Sequence, residues 1–197
     1  MRLRMLTILA SLTVFLIGCS EGYKKVDGKW AYVSYDEGVG KRVTYMDVDQ
    51  ATFETLDNKG YAKDKNNVFL TSGKIDNANP ETFHVIGNGY AADNKNVYLD
   101  RETLIDAEPM TFEQLDFPYS RDNKNVFCGT LPLDISNLES FKVTKSSSSK
   151  STVLTTHFIE LNPEYSFIDS IRYKGIIYGY GTAKTDNEKF DGYKKIK

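Results

Sequence analysis

Tyr90-Ala-Ala-Asp93-Asn-Lys-Asn96-Val97-Tyr98 is the middle of three near-copies of one motif. It is preceded by Tyr61-Ala-Lys-Asp64-Lys-Asn-Asn67-Val68-Phe69 and followed by Tyr119-Ser-Arg-Asp122-Asn-Lys-Asn125-Val126-Phe127, with a spacing of 29 residues each time. Asp and Asn between apolar, aromatic arms mark a hairpin turn. Their short side chains accept local backbone N–H bonds and tolerate left-handed dihedrals. With Asn94 and Lys95 as a two-residue loop, Ala92 pairs with Val97, Ala91 with Tyr98 and Tyr90 with Leu99. Strand alternation then puts Tyr90, Ala92, Val97 and Leu99 on one face, with Ala91 and Tyr98 on the other. A small residue opposite an aromatic recurs as Ala62 with Phe69 and Ser120 with Phe127, which supports this register.

A second element keeps the same period. Asn79-Pro80-Glu81-Thr82-Phe83 returns as Glu108-Pro109-Met110-Thr111-Phe112, and Phe141 lies a further 29 residues on. Gln50-Ala-Thr52-Phe53 precedes them at a spacing of 30, as an entrance copy with one residue of slack. Proline suits the start of a helix, where its missing N–H is not needed. Too few residues separate it from the next Tyr for more than one helical turn. The unit therefore reads as short helical turn, strand, tight turn, strand. The fold expected is mainly β: tandem hairpin repeats of about 29 residues, stacked as an elongated meander or solenoid and capped at both ends.

The caps lie outside residues 46–144. Residues 23–45 alternate around Gly38 and Gly40 and read as a degenerate first hairpin. After Phe141 the motif stops, with Ser146 to Ser149 where the next Tyr-x-x-Asp is due. Residues 145–197 are expected to form a Ser-rich loop and a β cap, with a strand over Thr152 to Ile159 and a hairpin around Tyr173 to Tyr178. Gly-Tyr-Lys-Lys-(Val/Ile) occurs at both 22–26 and 192–196.

Residues 1–18 read as a signal peptide. Arg2 and Arg4 precede an uncharged stretch from Met5 to Ile17 that is shorter than the roughly 20 residues a membrane-spanning helix requires. The stretch ends in Leu16-Ile17-Gly18-Cys19, which resembles the lipobox of bacterial lipoproteins. That resemblance implies cleavage before Cys19, a diacylglyceryl group on its sulfur and acylation of the new amino terminus. Several acyl chains on one residue give stable anchoring, whereas one holds only marginally. Ser20 at the next position resembles the sorting pattern for the outer membrane if the host is Gram-negative. Residues 19–45 then serve as anchor, tether and first cap.

Asp-Lys-Asn followed by Val and an aromatic, repeated about every thirty residues behind a lipobox, resembles DKNYY-repeat proteins. The likeness covers about residues 46–144. The final aromatic pair is only half kept: Phe69-Leu70, Tyr98-Leu99 and Phe127-Cys128 stand in for Tyr-Tyr. The resemblance implies a bacterial envelope lipoprotein and carries over no activity.

Composition agrees with a packed β protein. The chain of 197 residues holds 13 Tyr, 11 Phe and one Trp but only two Cys and two His, and 25 basic residues face 27 acidic ones. That balance argues against a nucleic-acid partner, which needs a dense positive face. Little in the chain suggests catalysis. His84 occupies a position that holds Glu54, Glu113 and Lys142 in other copies, as a solvated face would, and His157 has no partner in spacing. Cys128 aligns with Leu70 and Leu99 and is expected in the core, where free Cys behaves as a small hydrophobe. With Cys19 capped by lipid, no intramolecular disulfide can form.

The turns Asp64-Lys-Asn66, Asp93-Asn-Lys95 and Asp122-Asn-Lys124 invite a calcium reading. Each offers one carboxylate beside a Lys, where calcium needs six to eight oxygens, so turn chemistry is favoured. Gly179-Tyr-Gly181-Thr-Ala-Lys184 lacks the spacing of a phosphate loop, and Asp47 with Asp49 is too weak a pair for a glycosidase. No catalytic, cofactor or metal residues are nominated, and no enzyme activity is expected. The site assigned is Cys19, for lipidation. The function expected is a structural or protein-interaction module with an envelope protein partner. The alternative is a binding module for glycan or peptidoglycan fragments. An exposed ladder of Tyr and Phe would favour the alternative, and buried rings would favour a scaffold.

Overall fold

The computed structural model describes residues 21–56 and 60–196, so Cys19 and the leader 1–18 lie outside the described residues. Each repeat hairpin has the register expected. Val97 pairs with Ala92, Tyr98 with Ala91 and Leu99 with Tyr90, and the same pairing joins Ala62 to Phe69 and Ser120 to Phe127. The element before it supplies a single 3-10 turn, Pro109–Thr111 in the third copy.

The unit is larger than the hairpin. A strand precedes it and another follows, giving four-stranded antiparallel meanders. The second unit comprises His84–Gly87, Tyr90–Ala92, Val97–Leu99 and Glu102–Thr103. The first runs from Glu54–Thr55 to Gly73–Lys74, and the third from Glu113–Gln114 to Leu131–Pro132. The fourth strand follows a two-residue turn whose first residue takes a left-handed φ: 54° at Thr71, 53° at Asp100 and 64° at Gly129. Such dihedrals match the twist of the flanking strands. Only Gly129 announces this turn in the sequence.

The motif does not stop at Phe141. Lys142–Lys145 opens a fourth sheet whose hairpin, Thr182–Lys184 with Lys189–Asp191, comes only after an insertion. Thr182 stands where the period alone would place residue 148. The inserted segment holds a strand, Lys150–Leu154, a seven-residue helix (α1, Thr155–Leu161), a 3-10 turn at Pro163–Tyr165 and a strand, Gly175–Gly179, that pairs back onto the first. The strand expected over Thr152 to Ile159 therefore becomes helix at Thr155. The segment Tyr173 to Tyr178 forms no hairpin of its own. At the other end Gly22–Val26, Lys29–Asp36 and Gly40–Tyr45 make a three-stranded cap, one strand more than expected.

Packing runs from each unit to its neighbour. Ala91 and Tyr98 lie against Tyr61 and Val68 of the preceding unit and Phe83 of their own. The opposite face, Tyr90, Ala92, Val97 and Leu99, meets Phe127 of the next. Tyr119, Val126 and Cys128 meet Ala183 and Phe190 of the fourth. This is the nearest-neighbour arrangement of a solenoid. Backbone bonds continue it: the Ile105 N–H donates to Thr130 O at 3.0 Å, and the Thr130 N–H to Ile177 O at 2.8 Å.

The repeat Asp holds each unit together. Asp93 is 2% exposed. Its Oδ1 accepts the N–H groups of Lys95 at 2.7 Å and Asn96 at 2.8 Å, closing the turn. Its Oδ2 accepts the Asn79 N–H at 2.9 Å, tying the start of the preceding helical turn to the hairpin. Asp64 does the same for Asn66, Asn67 and Asp49, and Asp122 for Lys124, Asn125 and Glu108. Thr82 Oγ1 completes the joint by accepting the Asn94 N–H, as Thr52 and Thr111 do for Lys65 and Asn123. Replacing Asp93 with Ala strands these donors and is expected to cost about 3 kcal/mol in urea denaturation. Asp93→Asn keeps one acceptor oxygen and should cost less. Equal, negligible losses would show that the joint does not hold the unit.

Candidate interaction surface

The repeat aromatics are turned inward. Tyr61, Tyr90, Tyr98, Tyr119, Phe69, Phe83, Phe127 and Phe141 are all buried. Three tyrosine hydroxyls reach the next unit. Tyr23 donates to Gly60 O at 3.0 Å, Tyr61 to Gly89 O at 3.1 Å and Tyr119 to Gly181 O at 3.0 Å. The same carbonyls also close the left-handed turns by accepting the N–H of Thr71, Asp100 and Gly192. In the third unit Pro118 takes the place of Gly, and the ladder misses a rung: Tyr90 Oη and Ser120 Oγ influence each other, yet neither makes a well-formed hydrogen bond. Exposed aromatics lie elsewhere, with Tyr35 and Tyr45 on the first sheet and Phe167 and Tyr180 in the insertion.

The chemistry-bearing residues are scattered. Cys128 is buried, and its thiol contacts Gly179 O at 3.6 Å. His84 is exposed with Nδ1 3.3 Å from Thr82 O, and His157 Nδ1 lies 3.4 Å from Glu160 on the surface of α1. The turn carboxylates weighed as calcium ligands are occupied by backbone N–H groups, as described above. Asp49 serves the first helical turn, accepting from Thr52, and pairs with Lys65 at 2.7 Å, which holds its carboxyl down at about 2. Asp47 is fully exposed and 3.8 Å from Lys74. Gly179 ends a strand, and Gly181 directly precedes the next, Thr182–Lys184.

The repeats expose few large apolar side chains, Ile86 and Met110 among them, and the insertion exposes more. Leu154, Leu161, Phe167 and Ile171 are all exposed, at 67–87%. Leu161 and Tyr165 border a cleft of about 460 Å³ with Tyr193 and Glu164. Ion pairs fasten the insertion to the turns of the units: Lys174 to Asp76 at 2.6 Å, Arg172 to Asp106 at 3.6 Å, and Lys150 to Asp100. Sequence reasoning missed this surface. Its only signal was a run of apolar residues between 154 and 171 that fits neither the 29-residue period nor strand alternation.

Burial also sets a response to alkali. It pushes the Cys128 thiol up to about 12 from 9.0, and the Tyr61 and Tyr165 hydroxyls up to about 12 from 10.0. The stability held in these neutral groups is complete below their ordinary values and is lost as pH rises through the raised ones. Denaturant midpoints should therefore fall steadily above pH 9, and a flat profile would contradict it. Thiol reagents should leave native Cys128 unmodified at neutral pH and label it on unfolding. Tyr61→Phe should cost about 1 kcal/mol, whereas Tyr90→Phe, with no well-formed bond to lose, should be neutral or stabilising.

No curated protein and no solved structure matches the chain. The model of the DKNYY family matches residues 29–89 and 90–197, and so reaches beyond 46–144 into the first sheet and across the insertion to the fourth unit. The hairpin register, the repeated Asp joint and this match give one conclusion: the chain belongs to the DKNYY family.

Proposed function

We propose that the chain is a non-enzymatic, lipid-anchored lipoprotein of the bacterial envelope whose repeat stack serves as a structural or protein-interaction module. The observation that carries this reading is where the side chains are spent. Repeat carboxylates serve the turns, repeat aromatics fill the core, and the insertion carries more large exposed apolar side chains than any one repeat unit. A rigid stack displaying Leu154, Leu161, Phe167 and Ile171 suits a protein partner better than a glycan, which would favour aromatic faces laddered along one side. The lipobox ending at Cys19 supports anchoring, on the outer membrane and facing the periplasm if the host is Gram-negative.

Two measurements test the reading. Cys19→Ala should move the protein from the membrane to the soluble fraction, and unchanged retention would refute the anchor. In intact cells, a chemical crosslinker should join the wild-type chain to a discrete envelope protein. Leu161→Asp with Phe167→Ser should abolish that product, since both sites are exposed and such changes usually alter stability by no more than about 0.5 kcal/mol. No discrete product, or one indifferent to the double substitution, would defeat the interaction reading.

A further inference from the structure

One face of the fourth unit breaks the charge pattern of the first and third; in the second the same row is His84, Ala92 and Val97 and carries no acid–base pair. In the first unit Glu54 pairs across strands with Lys63, which pairs with the buried Val68, and the two charges are 3.5 Å apart. In the third, Glu113, Arg121 and Val126 form the same row, with Glu113 and Arg121 at 2.7 Å. In the fourth the row reads Lys142, Lys184 and Lys189. Directly opposed residues on adjacent strands point to the same face, and like charges so placed repel. All three lysines are exposed, and none has an ion-pair partner among the described residues. With strands about 4.8 Å apart, the row extends over roughly 10 Å.

The row is concave. It lines a cleft of about 480 Å³ together with Ser140, Thr185 and Asn187. Two carboxylates also border the cleft. Glu188 is held by Lys195 at 3.0 Å and by the Ser136 N–H at 3.2 Å, which leaves Asp186 against three lysines. We infer that this row is a binding site for a ligand bearing several phosphate-class anionic groups. Such a ligand removes the cross-strand repulsion that the sheet otherwise carries, and the exposed Asn187 amide adds a hydrogen-bond donor. The competing use of the row is simpler: charge on the last face keeps a second copy from stacking there.

The test uses the full chain carrying Cys19→Ala, so that no acyl chain contributes to lipid binding. Calorimetry with inorganic tripolyphosphate at low salt should give saturable binding that weakens as sodium chloride is added. Lys184→Gln with Lys189→Gln should lower the affinity on the order of tenfold. Lys142→Glu, which restores the acid–base pair of the first and third units, should do the same while folding at least as well by thermal melting. Cosedimentation with phosphatidylglycerol vesicles, against phosphatidylcholine, separates a lipid headgroup from a free phosphate as the source, and either supports the site. Absence of binding to both probes, or binding unchanged in both variants, would overturn it. Self-association of the variants by a wild-type chain that binds neither probe would assign the row to blocking the end of the stack, and would also overturn it.

Discussion

A single buried carboxylate in each of the first three units, committed to three backbone N–H groups, is the constraint on which the stack depends. Strands of two to four residues cannot fix their own register. The Asp closes the turn with one oxygen and grips the preceding helical turn with the other, so the hairpin and its approach become one rigid piece. Once that piece is rigid, its two faces are defined, and each can carry a fixed set of apolar residues toward a fixed neighbour. Unpaired donors at a buried joint would be costly, which explains why Asp stands at the same place in all three copies.

The fourth unit shows how the same joint works with other atoms. Thr185 replaces the Asp, and its Oγ1 accepts the N–H groups of Asn187 at 3.3 Å and Glu188 at 3.0 Å. A hydroxyl has no second oxygen to reach the preceding segment. Glu188 takes over that role through Ser136, and Ser140 accepts the Asp186 N–H as threonine does elsewhere. The outward positions change as well. Where Tyr90, Ala92, Val97 and Leu99 pack on a neighbour, the fourth unit has Thr182, Lys184, Lys189 and Asp191, a polar end that closes the stack.

This substitution also decides what was legible. The hairpin register, the helical turn at Pro109 and the core position of Cys128 follow from residue types that can serve only one local purpose. The fourth copy was hidden because Tyr, Asp and Asn are replaced by Thr182, Thr185 and Glu188, each workable and none distinctive. Thr71 and Asp100 at left-handed turn positions gave no warning, since neither is Gly. Helix α1 begins in Leu154-Thr155-Thr156, whose β-branched residues argue locally for a strand; packing of Phe158 with Ile168, Tyr173 and Ile176 overrides them. The proposed anchoring residue, Cys19, rests on its motif alone, and the exposed apolar residues of the insertion could be read only as residues that fit no period.

The placement of the insertion has a consequence for chain entropy. In the third sheet the first strand meets the second across a short separation, Glu113 with Arg121, whereas in the fourth Lys142 must find Lys184. For a flexible chain, closing the longer loop costs about 1.5 kcal/mol more. The pairing of Lys150–Leu154 with Gly175–Gly179 draws the two ends of the insertion together beforehand and offsets that cost. The first three units can thus assemble from local contacts in order of synthesis, while the last must wait for a segment that belongs to no repeat.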